Sequence, residues 1–93
     1  MKNYQHSIKF PQYGNVQTRI QSFHFPFKWP PSIPMHPADL AECGFFYEGI
    51  SDRVVCFTCG GELHAWRVED NAYDEHAQWF PNCDFIKNLN RDM

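Results

Sequence analysis

The chain has 93 residues, a formal net charge of −3 and four cysteines. A single domain of this size buries only about two-thirds of the surface of its unfolded chain, so a metal or a disulfide is often needed for stability. The eight lysines and arginines are scattered without a run. This pattern argues against nucleic acid and acidic membranes as partners, since both require a basic face.

The N-terminal residues 1–15 are polar and irregular, and they predict a flexible leader. No apolar run follows the lysine in MKNYQHSIKF, so we expect neither a signal peptide nor a transmembrane segment. We therefore expect a cytoplasmic or nuclear protein. Thiols stay reduced there, and closely spaced cysteines more often bind a metal than form a disulfide.

The folded region is expected over residues 16–89 and begins with a short helix. In VQTRIQSF the apolar side chains of Val16, Ile20 and Phe23 recur at helical spacing. The following HFPFKWPPSIPMHP carries five of the seven prolines, so it can form neither a helix nor a central strand. It predicts a long surface loop that is pinned by its large aromatic side chains, Phe25, Phe27 and Trp29.

Three short strands and three further helices are predicted after this loop. Pro37 can open a helix over ADLAEC, and Gly44 can end it with a left-handed cap. FFYEG, VVCFT and ELHAW then have the pattern of short strands. A helix over AYDEHAQWF, with Asn71 as N-cap, is separated by Pro81 from a last helix over CDFIKNL. Residues 90–93 are expected to form a C-terminal tail.

The strongest set of metal-binding side chains combines a CxxC turn with a histidine and a third cysteine, namely Cys56, Cys59, His76 and Cys83. The ligand atoms of one zinc ion lie within roughly 4 Å of one another. On one straight helix, His76 and Cys83 would stand about 10 Å apart, but Pro81 breaks the helix between them. Three sulfurs and one imidazole leave no open position, so we predict one structural Zn²⁺ and no catalytic metal.

The remaining cysteine and histidines do not fit this site. Cys43 ends a short helix beside aromatic residues, and we interpret it as a buried free cysteine that packs as a small hydrophobe. His64 follows Cys59 too closely on a strand to reach the same ion, so it is expected to face solvent. The other histidines lie in irregular regions without paired spacing: His6, His24 and His36.

CFTCGGELHAW followed by DEHAQWFPNC resembles the baculoviral IAP repeat (BIR) of the inhibitor-of-apoptosis proteins. The spacing Cys56-x2-Cys59-x16-His76-x6-Cys83 matches that family's zinc signature, and RIQSF, LAECGFFYEG and DRVVCF extend the match. The similarity covers about residues 16–89. It implies a small zinc-binding α+β domain with a three-stranded antiparallel sheet surrounded by short helices. It also implies that Arg19 ties the start of the domain to its middle.

Trp66 is predicted to belong to an interaction surface. Alternation along ELHAW places it on one face with Glu62 and His64, while Leu63 and Ala65 lie on the other. On this interpretation Trp66 is exposed among polar residues, and exposed tryptophan is enriched at binding hot spots. The alternative is that the following loop covers the indole.

A second tryptophan extends this predicted surface. Trp79 follows the metal ligand His76 by three residues, and the carboxylates Asp70 and Glu75 fall between the two indoles in sequence. Apolar walls with carboxylates between them suit a ligand that carries a small apolar group and a positive charge. A free peptide N-terminus that begins with alanine meets both demands.

The resemblance implies the same ligand. Many BIR domains bind N-terminal Ala-containing tetrapeptides of caspases and of pro-death antagonists such as Smac, Reaper, Hid and Grim, and the peptide adds as a strand beside the third strand. The groove positions that the resemblance gives are Leu63, Trp66, Asp70, Glu75 and Trp79. In this assignment Asp70 and Glu75 hold the ammonium. Trp66 packs on the alanine methyl group, and Trp79 packs on later peptide residues.

Three features of this sequence depart from the peptide-binding groove that the resemblance implies. Glu62 stands where peptide-binding members commonly have glycine, and NAY replaces the more usual Asp-Pro-aromatic helix start. Leu63 falls on the core side by alternation but in the groove by resemblance, and a strand bend near Trp66 is needed to reconcile the two.

The predicted function is a non-enzymatic, anti-apoptotic module that captures IAP-binding motifs. The alternative is a BIR domain used for structural assembly or dimerisation, of the chromosome-segregation type, without a functional peptide groove. An enzyme is not predicted, because the metal shell is closed and the sequence shows neither a nucleophile–base arrangement nor a phosphate-binding loop.

Overall fold

A computed structural model describes residues 8–90, and its elements follow the predicted order. A 3₁₀ turn at Pro11–Tyr13 precedes two helices, α1 (Val16–Ser22) and α2 (Pro37–Glu42). The strands are β1 (Phe45–Tyr47), β2 (Val54–Cys56) and β3 (Glu62–Leu63), and the last helices are α3 (Ala72–Trp79) and α4 (Asp84–Asn90). Within residues 8–90, no helix combines the length and apolar character needed to cross a membrane.

The three strands form one antiparallel sheet in the order β1-β2-β3, which confirms the predicted fold class. Phe46 pairs with Val55 in the first ladder, and Val54 pairs with Leu63 in the second. Strand β3 therefore lies at an edge. Within the described part of the chain, no further strand pairs with its outer side.

Successive strand residues point to opposite sides of the sheet, and other parts of the chain cover both sides. One face belongs to the main core, whose fully buried members include Phe23, Leu40, Phe45 and Val54. Phe46 points to the other face, where Phe10 and Tyr13 pack against its ring. The Tyr13 and Phe46 rings are stacked, with their centroids 3.9 Å apart.

This second face is covered by the part of the predicted leader that the structure describes. The backbone N–H of Lys9 donates to Thr58 O at 3.2 Å, and that of Phe10 donates to Phe57 O at 2.8 Å. Backbone hydrogen bonds therefore join Lys9 and Phe10 to the rest of the domain, a contact that the isolated aromatic side chains of this polar stretch did not indicate. The flexible leader over residues 1–15 stays a prediction. Residues 1–7 and 91–93 lie outside the described residues, and the boundaries of the 16–89 domain stay a prediction.

The proline-rich loop is pinned chiefly by Trp29, and not by all three predicted aromatic residues. Trp29 is buried, packs edge-on against Phe23 and donates its indole N–H to Met35 O at 2.9 Å. Phe25 is 73% exposed, and Phe27 is half exposed although its ring lies against Gly49. Trp29 anchors the loop because it reaches both an apolar pocket and an acceptor for its N–H.

Arg19 joins the start of the domain to its middle, as the resemblance implied. It is almost fully buried on α1, and its guanidinium donates to Ala41 O at 2.8 Å and to Tyr13 O at 2.9 Å. The same group lies 4.5 Å from the centroid of the Phe57 ring. Burial lowers the pKa of Arg19, and the nearby Cys56 partly opposes that shift.

Candidate functional site

Four side chains converge on one point between the sheet and α3. Their ligand atoms, the sulfurs of Cys56, Cys59 and Cys83 and a ring nitrogen of His76, all lie within 4.8 Å of one another. The sulfurs of Cys56 and Cys83 are 3.8 Å apart, and the Cys59 sulfur is 3.8 Å from His76 Nε2. Tetrahedral zinc with Zn–S bonds of about 2.3 Å places two sulfurs roughly 3.8 Å apart. The donor set therefore fits one structural Zn²⁺ ion.

The CxxC turn directs its sulfurs through backbone geometry. The N–H of Thr58 donates to the Cys56 sulfur at 3.3 Å, and the N–H of Gly61 donates to the Cys59 sulfur at 3.4 Å. These bonds favour the thiolates that a metal requires. Strand β2 ends at Cys56, earlier than predicted: the N–H of Phe57 still donates to Gly44 O at 3.0 Å, but that of Thr58 turns towards sulfur. Gly60 closes the turn at φ 76°, a conformation that strains a residue with a Cβ.

His76 presents Nε2 to the sulfurs because its other ring nitrogen is held. Nδ1 lies 2.8 Å from Cys43 O, and since a carbonyl only accepts, Nδ1 is the donor. The imidazole is completely buried. This arrangement fixes the tautomer that leaves the Nε2 lone pair free for a metal. The supporting group is a backbone carbonyl, which sequence patterns do not identify.

The break between α3 and α4 brings Cys83 to the same point as His76, as the position of Pro81 predicted. Helix α3 ends at Trp79 and α4 begins at Asp84. Between them the chain turns, and the N–H of Cys83 donates to Phe80 O at 3.0 Å. Helix α3 itself begins at the predicted N-cap, where the Asn71 side chain accepts from the N–H of Asp74 at 2.9 Å.

The crowded thiols influence one another strongly. Hydrogen bonds from Cys56 and then Cys59 hold the pKa of Cys83 well below its usual range. Hydrogen bonds to Cys59 and Cys83 raise the pKa of Cys56. Three sulfurs at this separation can ionise together only beside a cation, and a soft donor set of this kind selects zinc.

Cys43 lies near the metal ligands, but its sulfur is not among them. The side chain is a free, half-buried thiol that packs against the main core. Burial raises its pKa to about 11, with smaller contributions from the carboxylates of Asp39, Glu42 and Asp74. The thiol is therefore protonated at neutral pH, in keeping with a packing role.

A groove of about 460 Å³ lies beside β3 and is bounded on its far side by α3. The five residues that the resemblance assigned to peptide binding all line it: Leu63, Trp66, Asp70, Glu75 and Trp79. Glu62 and His64 line it as well, and His64 is exposed as predicted. The structure therefore brings the predicted groove residues together.

Trp66 is buried, and the prediction that it is exposed is wrong. Only 7% of the residue is accessible, and its ring packs edge-on against Phe45 in the main core with centroids 6.2 Å apart. Trp79 is the exposed indole of the groove, at 62%. Alternation failed because β3 ends at Leu63, so the two-residue period does not extend to Trp66.

The strand ends because Ala65 adopts a left-handed conformation with φ 61°. This is the bend near Trp66 that the two assignments of Leu63 required. Leu63 pairs with Val54, packs against the main core and lines the groove, so both descriptions of it apply. A β-propensity pattern cannot show such a bend, because the conformation is unusual for any residue other than glycine.

Asp52 holds this bend in place, and sequence reasoning missed it. Its carboxylate accepts from the N–H of Ala65 at 3.0 Å and from the N–H of Trp66 at 2.8 Å. Asp52 is itself buried. Its two partners lie 13 and 14 residues further along the chain, and the only signal was a carboxylate in the turn before β2.

Replacing Asp52 with alanine is expected to lower the free energy of unfolding by about 2–3 kcal/mol, because two N–H groups lose a charged acceptor. Asp52→Asn keeps one acceptor oxygen and should lose roughly half as much. Urea unfolding of the zinc-loaded proteins measures both. The exposed Glu48 provides the control, and a loss for Asp52→Ala no larger than that for Glu48→Ala would contradict the role of this carboxylate.

The two carboxylates of the groove keep acceptor capacity for a ligand. Asp70 accepts from the N–H of Arg67 at 2.8 Å, and Glu75 accepts from the indole N–H of Trp79 at 3.2 Å. Among residues 8–90, no basic side chain forms an ion pair with either one. Both are half exposed. Such a pair can accept further hydrogen bonds from a cationic group.

The fold and the metal centre together define a small zinc-binding α+β domain with three cysteine ligands and one histidine ligand. Residues 19–87 match the family model described as BIR, Inhibitor of Apoptosis domain. The chain belongs to this family.

Relatives of the chain are inhibitor-of-apoptosis proteins. It is 50% identical over 58 residues to baculoviral IAP repeat-containing protein 3 of Canis lupus familiaris, covering 62% of this chain and 10% of that protein. It is 44% identical over 88 residues to E3 ubiquitin-protein ligase XIAP of Xenopus laevis, covering 91% of this chain and 17% of that protein. The chain thus spans about a fifth or less of these curated relatives.

Solved structures show the same fold. The autoinhibited dIAP1-BIR1 domain is 32% identical, with a TM-score of 0.72 over 81% of this chain and 73% of that one. The DIAP1 BIR1 domain bound to a Grim peptide is also 32% identical, with a TM-score of 0.65 over 78% of this chain and 71% of that one.

Proposed function

We propose that the groove beside β3 binds the free N-terminus of a peptide that begins with alanine, and that the chain acts in this way as an anti-apoptotic binding module. The observation that carries the proposal is the pair of carboxylates, Asp70 and Glu75, without an ion-pair partner among residues 8–90. They line one groove together with two indoles.

The charged end of the ligand is assigned to this pair. A peptide ammonium offers three donors and one positive charge, and Asp70 and Glu75 offer charged acceptors in a partly desolvated groove. The small alanine side chain suits the position beside Trp66, whose indole is held in the core. Trp79 lies exposed on α3 and can cover later peptide residues.

The backbone of the ligand is assigned to the edge of β3. An extended peptide beside this strand gains main-chain hydrogen bonds, the mode of recognition in which a peptide adds a strand to a sheet. The carboxylates lie beyond the C-terminal end of β3, so a peptide with its ammonium there runs antiparallel to the strand. The short β3 limits these bonds to a few peptide residues.

The DIAP1 BIR1 domain with its Grim peptide supports this proposal, since that domain shares the fold of this chain at 32% identity. We infer that the partners are pro-apoptotic antagonists with Smac-, Reaper-, Hid- or Grim-like N-termini, or processed caspases. Binding to them requires no chemistry at the zinc ion, whose four ligands close its coordination shell.

Acetylating the peptide N-terminus tests the proposal. A peptide that begins with free alanine is expected to bind, and its acetylated form is expected to bind at least about 30-fold more weakly, because two carboxylates lose their charged partner. Isothermal titration calorimetry measures both affinities. Glu75→Gln should reduce the difference in affinity between the free and the acetylated peptide. Equal affinities of the two peptides for the wild-type protein would refute the assignment of the ammonium to the carboxylates.

The assembly alternative makes a different prediction. A domain that acts through dimerisation should sediment as a stable dimer at micromolar concentration, and it should not respond to peptides with a free N-terminus. Analytical ultracentrifugation with and without such a peptide therefore separates the two functions.

A further inference from the structure

We propose that Glu62 makes the groove select peptides with a basic side chain at the third or fourth position, an inference that rests on the proposed binding of peptide N-termini. Glu62 begins β3 and lines the same groove as Asp70 and Glu75. Its side chain is 52% exposed, so a peptide in the groove can reach it.

The direction of the peptide determines which of its residues lies beside Glu62. With its ammonium at Asp70 and Glu75, the peptide begins near Trp66 and runs back along β3 towards Glu62. Trp66 lies four positions after Glu62 in the sequence, and an extended peptide covers this stretch at roughly 3.3 Å per residue. The left-handed Ala65 shortens the path. The third or fourth peptide residue therefore lies beside the Glu62 carboxylate.

The charges of the groove favour a basic residue there. Three carboxylates line it, those of Glu62, Asp70 and Glu75. The one guanidinium that lines it belongs to Arg67, whose Nη1 lies 3.6 Å from a carboxylate oxygen of Glu69. Opposite charges on adjacent strands attract, while like charges repel. A lysine beside Glu62 thus gains an ion pair, and a glutamate in the same place meets repulsion.

Arg53 is the group that competes for Glu62. Its Nη1 lies 3.4 Å from Glu62 Oε1, and both side chains are partly exposed. Exposed pairs of this kind are weak, and Arg53 is not among the residues that line the groove. Arg53 should therefore reduce the selectivity of Glu62 without abolishing it. Replacing Arg53 should thus increase the selectivity for a basic peptide residue, whereas replacing Glu62 should decrease it.

Two matched peptide series test this selectivity. The probes are Ala-Val-Ala-X-amide and Ala-Val-X-Ala-amide with a free N-terminus, where X is Lys, Gln or Glu. We expect Lys to bind more tightly than Gln, and Gln more tightly than Glu, in at least one series. The spread, defined as the ratio of the affinities of the Lys and Glu peptides, should be about three- to ten-fold at low salt. It should shrink as salt screens the charges.

Two variants assign the spread to its source. Glu62→Gln should reduce it to within about two-fold, whereas Arg53→Gln, which frees the Glu62 carboxylate, should widen it. Titration calorimetry gives the affinities, and zinc content together with the melting temperature shows that each variant is folded.

The outcomes separate the two proposals. If the Gln peptides bind but the series is flat, or if the spread survives Glu62→Gln, the role of Glu62 is overturned while N-terminal binding stands. If wild-type protein binds none of the peptides, N-terminal binding fails and the selectivity of Glu62 fails with it.

Discussion

Chelation of the zinc ion is expected to unfold the domain. Structural zinc contributes about 10 kcal/mol or more to folding, whereas a small domain has a net stability of only about 5–15 kcal/mol. The site joins the end of β2, the following turn, α3 and the start of α4, so its loss releases elements that are far apart in sequence. Circular dichroism during an EDTA titration, together with zinc content by mass spectrometry, measures the effect.

Cys43, which lies outside the ligand set, provides a matched control for the substitution of a zinc ligand. Cys83→Ser removes a buried ligand whose sulfur lies 3.8 Å from that of Cys56, and it should abolish stoichiometric zinc binding and folding. Cys43→Ser changes a half-buried thiol outside the ligand set, and it should retain one zinc ion with a loss of about 1 kcal/mol or less. A native spectrum after complete removal of zinc would contradict the structural role of the ion.

Trp66→Ala is expected to lower the free energy of unfolding by about 3–5 kcal/mol, because it removes a buried indole from the main core. Trp79→Ala should change stability by only about 0.5 kcal/mol, since that ring is mostly exposed. Urea unfolding of the zinc-loaded variants measures both. The two tryptophans line one groove, but they differ in how much of the fold depends on them.

This contrast decides which variant can test peptide binding. Trp79→Ala should weaken the binding of an alanine-initiated peptide by about 2 kcal/mol, or roughly 30-fold, while the protein stays folded. Lost affinity in Trp66→Ala would be ambiguous, because the variant is also destabilised. Equal stability losses for the two variants would show that Trp66 is not the core residue that the structure describes.

The sequence by itself determined the metal centre. Zinc requires specific side chains at short mutual distances, so the CxxC turn, His76 and Cys83 were identifiable from residue type and spacing. Pro81 and Asn71 were equally informative, because a proline break and an N-cap act through nearby backbone groups. These features depend on local chemistry, and the structure confirms them.

Tertiary structure decided how the groove is built. The left-handed Ala65 and the position of Trp66 are held by Asp52, whose carboxylate reaches backbone groups 13 and 14 residues away, and Leu63 is placed by its pairing with Val54. The support of His76 by Cys43 O spans 33 residues, and it comes from a backbone atom that every residue possesses. Contacts of this kind leave no periodic pattern, because the folded chain alone determines which distant groups meet.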